Sequence, residues 1–151
     1  MATSIPPSRR KRSKTPGYVG LVILAALVLI GAISYIRGRL EARAAHNLSN
    51  PIPATPAALA AGKTNYDSKC ASCHGSNGDG KGDKAQGLWK TPTDFRNAAQ
   101  MDRRTDGDLY WVTSKGSWPM PAFEDKLTAT ERWQVVDYIR TFASQNTKPS
   151  P

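Results

Sequence analysis

The chain has 151 residues, enough for one domain and an appendage, and it carries a formal net charge of +9. Such a charge could indicate a nucleic-acid-binding protein, but its distribution argues against that class. Residues 1–49 account for a net charge of +7 and residues 50–151 for only +2. The basic excess therefore belongs to the N-terminal segment, and no nucleic-acid partner is predicted.

The first predicted element is a membrane-spanning helix over residues 17–36, which contains no charged side chain. Its 19 residues from Tyr18 onward would form about 28 Å of helix, close to the ~30 Å of a bilayer's hydrocarbon core. Tyr18 and Tyr35 lie at its ends, where aromatic rings favour the interface. The alternative is a cleaved signal peptide, whose apolar region is usually about 7–15 residues long. The small-residue triplet at 42–44 contains a charge and is a poor cleavage site, so an uncleaved anchor is predicted.

The flanking charges predict how this helix is oriented. Residues 1–16 carry five basic side chains, and three more follow the helix closely. The positive-inside rule therefore places the N-terminus in the cytoplasm and the C-terminal domain on the periplasmic side of the inner membrane. Residues 37–55 are predicted to be a linker, stiffened by its prolines. The sequence leaves open whether this linker is a passive spacer or a leash that sets how far the domain can swing.

The globular domain is predicted to span residues 56–144, with residues 145–151 as a tail. Thr55 followed by Pro56 is typical of an N-cap and first helical position, so a helix is expected to begin there. Gly62 lies inside that helix at a cost of about 1 kcal/mol relative to alanine. We therefore expect another helix to cross it at close range, and the C-terminal helix with Trp133 and Tyr138 is the natural partner.

The next element contains the most informative motif, Cys70-Ala71-Ser72-Cys73-His74, which is the C-x-x-C-H signature of covalent c-type haem attachment. The two cysteines are the only ones in the chain and share one face of a helical turn, so each can add to one vinyl group of the same porphyrin. The imidazole of His74 can then reach the iron. A zinc site would need four ligands, and the only other histidine, His46, lies in the linker. A thioredoxin-like redox pair would need a βαβ setting, which the sequence does not suggest.

The rest of the domain is predicted to be helical with long loops. Five glycines between Gly75 and Pro92 indicate an irregular loop. Thr105 with Asp108, and Thr128 with Glu131, resemble capping boxes that begin two further helices. No stretch alternates as a strand. An apolar stripe is expected on the last helix, formed by Trp133, Val136, Ile139 and Phe142.

These features occur in the order typical of class I c-type cytochromes, which the chain resembles over roughly residues 56–144. The resemblance rests on the helix with Gly62 and Tyr66, the C-A-S-C-H motif, the Gly-rich loop, the Trp118-Pro119-Met120-Pro121 segment and the end of the last helix. It implies an all-α cytochrome c fold around one covalent haem c, preceded here by the transmembrane helix. It also implies that the first and last helices of the domain cross near glycine, and that His74 and a distal methionine are the axial ligands.

Met120 is the predicted distal ligand. Met1 is the initiator, and Met101 lies in a polar stretch before a helix. Met120 lies between two prolines, which restrict its loop and could hold the sulfur against the iron. The alternative is that Met120 merely fills the core. With His74 and Met120 both bound to iron, no coordination position remains for a substrate, and electron transfer is favoured over catalysis.

The expected function is that of a membrane-anchored electron carrier between a quinol-oxidising complex and a terminal oxidase or photosynthetic reaction centre. The alternatives are a fixed haem subunit of such a complex and, from another class, a haem enzyme or gas sensor with an open sixth position. No catalytic residue is predicted. Trp89 and Trp118 are expected near the haem, and Pro92 near its histidine side. Four lysines could attract an acidic partner or simply be solvated surface: Lys81, Lys84, Lys90 and Lys115.

Overall fold

The computed structural model describes residues 17–146, and every regular element in that range is helical. The all-α prediction is therefore confirmed. The predicted basic segment 1–16 and the final residues of the predicted tail, 147–151, lie outside the described range. The chain divides into two compact units, one ending at Arg39 and the other beginning at Leu40.

Helix α1 spans Gly17–His46. By length and composition it is the one helix in the described part of the chain that could cross a membrane. Its large apolar side chains are exposed on every side, and a helix that is apolar all round is stable in a protein core or in lipid. The helix continues ten residues past Ile36 because Arg, Leu, Glu and Ala are good helix formers. The first half of the predicted linker is thus helical.

The second unit contains the remaining elements. A single 3₁₀ turn spans Asp83–Ala85. The helices that follow α1 are α2 (Pro56–Lys69), α3 (Ala71–His74), α4 (Ala98–Met101), α5 (Asp106–Lys115) and α6 (Ala129–Asn146).

The three longer helices of the second unit, α2, α5 and α6, begin where the sequence predicts. The hydroxyl of Thr55 accepts the backbone N–H of Ala58 at 3.2 Å before α2. Thr105 and Asp108 form a complete capping box before α5. Thr128 and Glu131 do the same before α6, with the N–H of Thr128 donating to the Glu131 carboxylate at 2.8 Å. Each cap satisfies backbone donors that the first helical turn leaves unpaired.

The domain is built on the crossing of α2 with α6. Gly62 is buried at the crossing, and a Cβ added there would collide with the carbonyl oxygen of Gln134 and lie 3.1 Å from the Cβ of Tyr138. The predicted close approach of the two helices is therefore confirmed. Around it lies one apolar core, whose least exposed large side chains are Tyr66, Met101, Leu109, Val135 and Val136.

The residues from Leu40 to Ile52, which we call the docked segment, belong to the second unit and are bound to it. The Oγ1 of Thr105 donates to the carbonyl oxygen of His46 at 2.8 Å. The Nδ1 of His46 lies 2.9 Å from a carboxylate oxygen of Asp108. A Cβ added to Gly107 would overlap the carbonyl oxygen of Ala45, which is itself buried. The last turn of α1 therefore packs directly on the start of α5.

Asn50 fixes the other end of the docked segment. Its Nδ2 donates to a carboxylate oxygen of Asp137 at 2.7 Å and to the carbonyl oxygen of Trp133 at 3.3 Å. Its Oδ1 accepts the backbone N–H of Ile52 at 2.9 Å, and Ile52 packs against the apolar core. The stretch predicted as a linker is thus partly integrated into the domain.

Candidate haem-binding site

The two cysteines flank a single helical turn. Cys70 lies between α2 and α3, as the C-cap of the first and the N-cap of the second, and its carbonyl oxygen accepts the N–H groups of Cys73 at 3.1 Å and His74 at 2.9 Å. Both thiols are free, with Cys70 buried and Cys73 half-buried. Burial first, and then the neighbouring Cys73, raise the pKa of Cys70 to about 12. The turn thus presents two unoxidised thiols three residues apart, which is the arrangement that attachment to one porphyrin requires.

His74 is held by a backbone carbonyl. Its Nδ1 lies 3.2 Å from the carbonyl oxygen of Thr93, so that nitrogen carries the proton and Nε2 is left available to bind a metal. Burial lowers the pKa of His74, against the opposing effect of the Thr93 carbonyl. Burial thus favours the neutral ring, which is the form that binds a metal. The sequence suggested that Pro92 lies near the histidine side. The carbonyl that accepts the Nδ1–H of His74 belongs to the next residue, Thr93.

The Gly-rich loop folds back over the motif. The N–H of Gly80 donates to the carbonyl oxygen of His74 at 2.8 Å, and the N–H of Gly82 donates to that of Cys73 at 3.1 Å. A Cβ on Gly82 would collide with the carbonyl oxygens of Ala71 and Ser72. Glycine is needed because the loop backbone lies directly against the helical turn. The loop thereby satisfies carbonyls that the end of α3 leaves unpaired.

Met120 lies in a tight loop between α5 and α6. Its N–H and carbonyl exchange hydrogen bonds with Ser117 at 2.9 and 3.0 Å, and the Trp118–Pro119 bond between them is cis. The Met120 side chain is half-buried against the apolar core that also contains Cys70. Met101, in contrast, is 0% exposed inside that core, and its carbonyl oxygen accepts Arg140. Of these two methionines, only Met120 retains an exposed fraction.

The other predicted contact residues lie on the surface. Trp89 is 71% and Trp118 77% exposed. Lys81, Lys84 and Lys90 are exposed as well. Lys115 is bound to Glu124, with the Nζ 2.8 Å from a carboxylate oxygen.

Two residues near the motif were not predicted as part of the site. They are Thr93, whose carbonyl holds His74, and Phe95, whose ring lies parallel to the imidazole with centroids 4.5 Å apart. Both lie about twenty positions from His74 in sequence and reach it only because the Gly-rich loop returns to α3. The glycines of that loop are the one sequence signal of the return.

The donor set fits a haem better than a lone metal ion. A free thiol pair on one turn and a neutral imidazole with its Nδ1 engaged are the groups that c-type attachment uses. In residues 17–146, no group of three or more His, Cys, Asp or Glu side chains could hold a metal ion. The alternative of a structural zinc site therefore has no ligand set in this range.

Comparisons with known proteins point to the same kind of domain. The family described as "Cytochrome C oxidase, cbb3-type, subunit III" matches residues 57–139. Among solved structures, the chain is similar to one in the "Kuenenia stuttgartiensis reducing HAO-like protein complex Kustc0457/Kustc0458", with a TM-score of 0.53 and 27% sequence identity. That likeness covers 63% of this chain and 49% of the other, so this chain spans about half of its length. No curated protein matches.

The family match runs from the second residue of α2 into the second half of α6, and it takes in the C-x-x-C-H turn, the Gly-rich loop and the Met120 loop. More than half of the chain is covered. The chain therefore belongs to the family of the cbb3-type cytochrome c oxidase subunit III, and its helical domain is a c-type cytochrome.

Proposed function

We propose that this protein is a membrane-anchored cytochrome that carries single electrons and does not itself transform a substrate. The proposal depends mainly on one observation: the domain offers two uncharged side chains that could serve as the axial ligands of a haem iron. His74 has its Nδ1 engaged by Thr93, and Met120 offers a half-buried thioether beside the same core. If both bind iron, the coordination sphere is closed, and only electrons can be exchanged.

The chain's own residues would hold and tune one covalent haem c. When bound, the haem supplies an iron that gains or loses one electron. Cys70 and Cys73 would attach it through thioethers, and His74 would bind the iron through Nε2. Met120 would be the second axial ligand, and a soft neutral thioether favours the reduced iron relative to a second imidazole.

The proposed location is the inner membrane, with α1 as an uncleaved single-pass anchor in the lipid bilayer. The apolar length of α1 and the five basic residues that precede it support a cytoplasmic N-terminus and a periplasmic haem domain. The donor would be a quinol-oxidising complex, and the acceptor an oxidase or a photosynthetic reaction centre. Exposed lysines, among them Lys81, Lys84 and Lys90, would favour an acidic partner surface.

A spectroscopic experiment separates this function from a haem enzyme or gas sensor. The oxidised full-length protein in mild detergent should show the methionine-to-iron charge-transfer band, and the reduced protein should not bind carbon monoxide at neutral pH. A missing band together with rapid carbon monoxide binding would mean that the sixth position is open. The carrier function would then be wrong.

A fixed haem subunit of a larger redox complex is the second candidate. Two observations favour it: the matched family is described as an oxidase subunit, and the similar solved structure is a protein complex. Solubilisation from native membranes in mild detergent, followed by size-exclusion chromatography, distinguishes the two. A free carrier migrates alone, whereas a subunit co-migrates with other redox proteins in fixed ratio.

A further inference from the structure

The imidazole of His74 is held from two directions. At its edge, Nδ1 lies 3.2 Å from the carbonyl oxygen of Thr93. On its face, the ring of Phe95 is stacked at a centroid distance of 4.5 Å and an interplanar angle of 16°. The contact with Thr93 restrains the position of Nδ1. It does not by itself restrain the tilt of the ring plane about the line from Cβ to Nδ1. A flat ring lying parallel on the face opposes this tilt.

Phe95 is itself tightly held, so it can act as a rigid support. Its backbone N–H donates to the carbonyl oxygen of Gly78 at 2.7 Å. Its ring is also stacked with that of Phe142, with ring centroids 6.4 Å apart and planes 14° from parallel. Tyr66 meets it edge-on at 6.3 Å. With only 6% of its surface exposed, Phe95 has little room to move.

The support is connected to the motif by a second route. The hydroxyl of Tyr66 donates to the carbonyl oxygen of Gly75, the residue directly after His74, at 2.7 Å. Tyr66 also packs on Phe142 at 5.2 Å. The backbone that carries His74 and the ring that supports it are therefore tied to the same aromatic group.

We propose that Phe95 is a positioning residue, which fixes the plane of the His74 imidazole about the bond that Nε2 makes to the haem iron. This inference rests on the proposed function only for ligation by His74. Residues behind a metal-binding histidine set its orientation, and the apolar groups around it limit access of water and so influence the reduction potential. A fixed ring plane would let the iron change oxidation state with little rearrangement of its ligand.

The test is Phe95→Leu in the full-length haem-loaded protein, which keeps an apolar side chain but removes the flat ring. Electron paramagnetic resonance of the oxidised protein reports the orientation of the axial ligands. We expect the low-spin signal to broaden and its largest g value to shift. The midpoint reduction potential should fall, because water gains access to the histidine side and stabilises the oxidised, more highly charged iron.

Trp133→Leu is the matched control, because Trp133 is equally buried at 6% exposure but its ring stacks on Tyr110 and forms no ring contact with Phe95 or His74. It should lose comparable thermal stability and keep the wild-type g values and potential. Unchanged g values in Phe95→Leu, or equal shifts in both variants, would overturn the positioning role. A wild-type protein without a low-spin signal would instead refute ligation by His74 and Met120, which is a failure of the proposed function.

Discussion

At the scale of single residues, the two methionines of the domain show how position decides chemistry. Met101 is fully enclosed in the apolar core, where a flexible thioether fills space. Met120 lies in a short loop held by its hydrogen bonds with Ser117 and is only half-buried. This difference in exposure supports Met120, rather than Met101, as the proposed distal ligand.

This difference gives the first prediction. Met120→Ala should abolish the methionine-to-iron charge-transfer band of the oxidised protein and allow carbon monoxide to bind the reduced form. Met101→Leu, which roughly conserves the buried volume, should keep the band and cost less than about 1.5 kcal/mol of stability. Absorption spectra of the two variants decide the matter. Loss of the band in Met101→Leu and its persistence in Met120→Ala would contradict the assignment.

The residues of the motif could be predicted from sequence, but their supports could not. The spacing of Cys70, Cys73 and His74 can be recognised in the sequence because covalent haem attachment requires it. Thr93 contributes only its backbone carbonyl, which any residue carries, and Phe95 resembles any other core aromatic. Their roles depend on where the Gly-rich loop returns, and loop paths depend on tertiary contacts that a linear pattern does not contain.

At the scale of helices, the crossing of α2 and α6 depends on the missing side chain of Gly62. A Cβ there would meet the backbone oxygen of Gln134, and a backbone atom of a buried helix cannot easily move aside. Gly62→Ala should therefore lower the free energy of unfolding by about 1–3 kcal/mol, despite the better helix propensity of alanine. Thermal unfolding followed by circular dichroism measures the loss.

The matched control is Gly38→Ala, also within a helix but with no atom within 4 Å of the added Cβ. It should leave the transition temperature of the haem domain unchanged. Equal effects of the two substitutions would show that helix propensity, and not the crossing, determines the result.

The cap of α5 makes stability depend on pH. Burial alone would raise the pKa of Asp108, but hydrogen bonds from the Thr105 N–H and from His46 outweigh it and hold the pKa below its usual 3.8. Because the folded-state pKa is the lower one, the stabilisation is present above the unfolded-state pKa and is lost as pH falls through the folded one. Asp108→Asn should therefore be less stable than wild type at pH 7, and the difference should vanish below the lowered pKa.

Denaturant unfolding at several pH values tests this prediction. Asp102→Asn, at an exposed position just before α5, should stay within about 0.5 kcal/mol of wild type throughout. A deficit of Asp108→Asn that is the same at every pH would mean that the carboxylate charge is irrelevant to the cap.

The helices themselves were largely readable from sequence, because caps are local. The starts of α2, α5 and α6 follow from Thr55, Thr105 and Thr128 and the residues next to them. The short helix α3 coincides with the helical turn expected for the C-x-x-C-H motif, whereas α4 could not be recognised, since four residues contain no full apolar period.

At the scale of the whole molecule, the stretch predicted as a linker is partly a structural component of the domain. Its composition is typical of a tether, but the docked segment forms hydrogen bonds to residues 59 to 87 positions away. Such contacts cannot be inferred from local composition. Leu40–Ile52 is therefore not part of any flexible tether between the membrane helix and the domain.

Asn50 offers the cleanest test of this docking. Asn50→Ala removes the donor to Asp137 and the acceptor for Ile52, and should cost about 1–3 kcal/mol because partly buried polar groups lose their partners. Asn47→Ala, at an exposed position three residues earlier, should stay within about 0.5 kcal/mol of wild type. Limited proteolysis with trypsin should also cut faster after Arg43 in the Asn50 variant. Equal stability and equal cleavage of both variants would mean that the segment is not docked in solution.

The central claim is that this chain carries one haem attached through Cys70 and Cys73. The most direct measurement is the mass of the denatured protein after extraction of non-covalent haem, followed by mass analysis of its tryptic peptides. The claim predicts the 16.4 kDa chain plus a single haem, with the added mass on the peptide that contains Cys70 and Cys73. An unmodified chain, or haem mass on any other peptide, would contradict it.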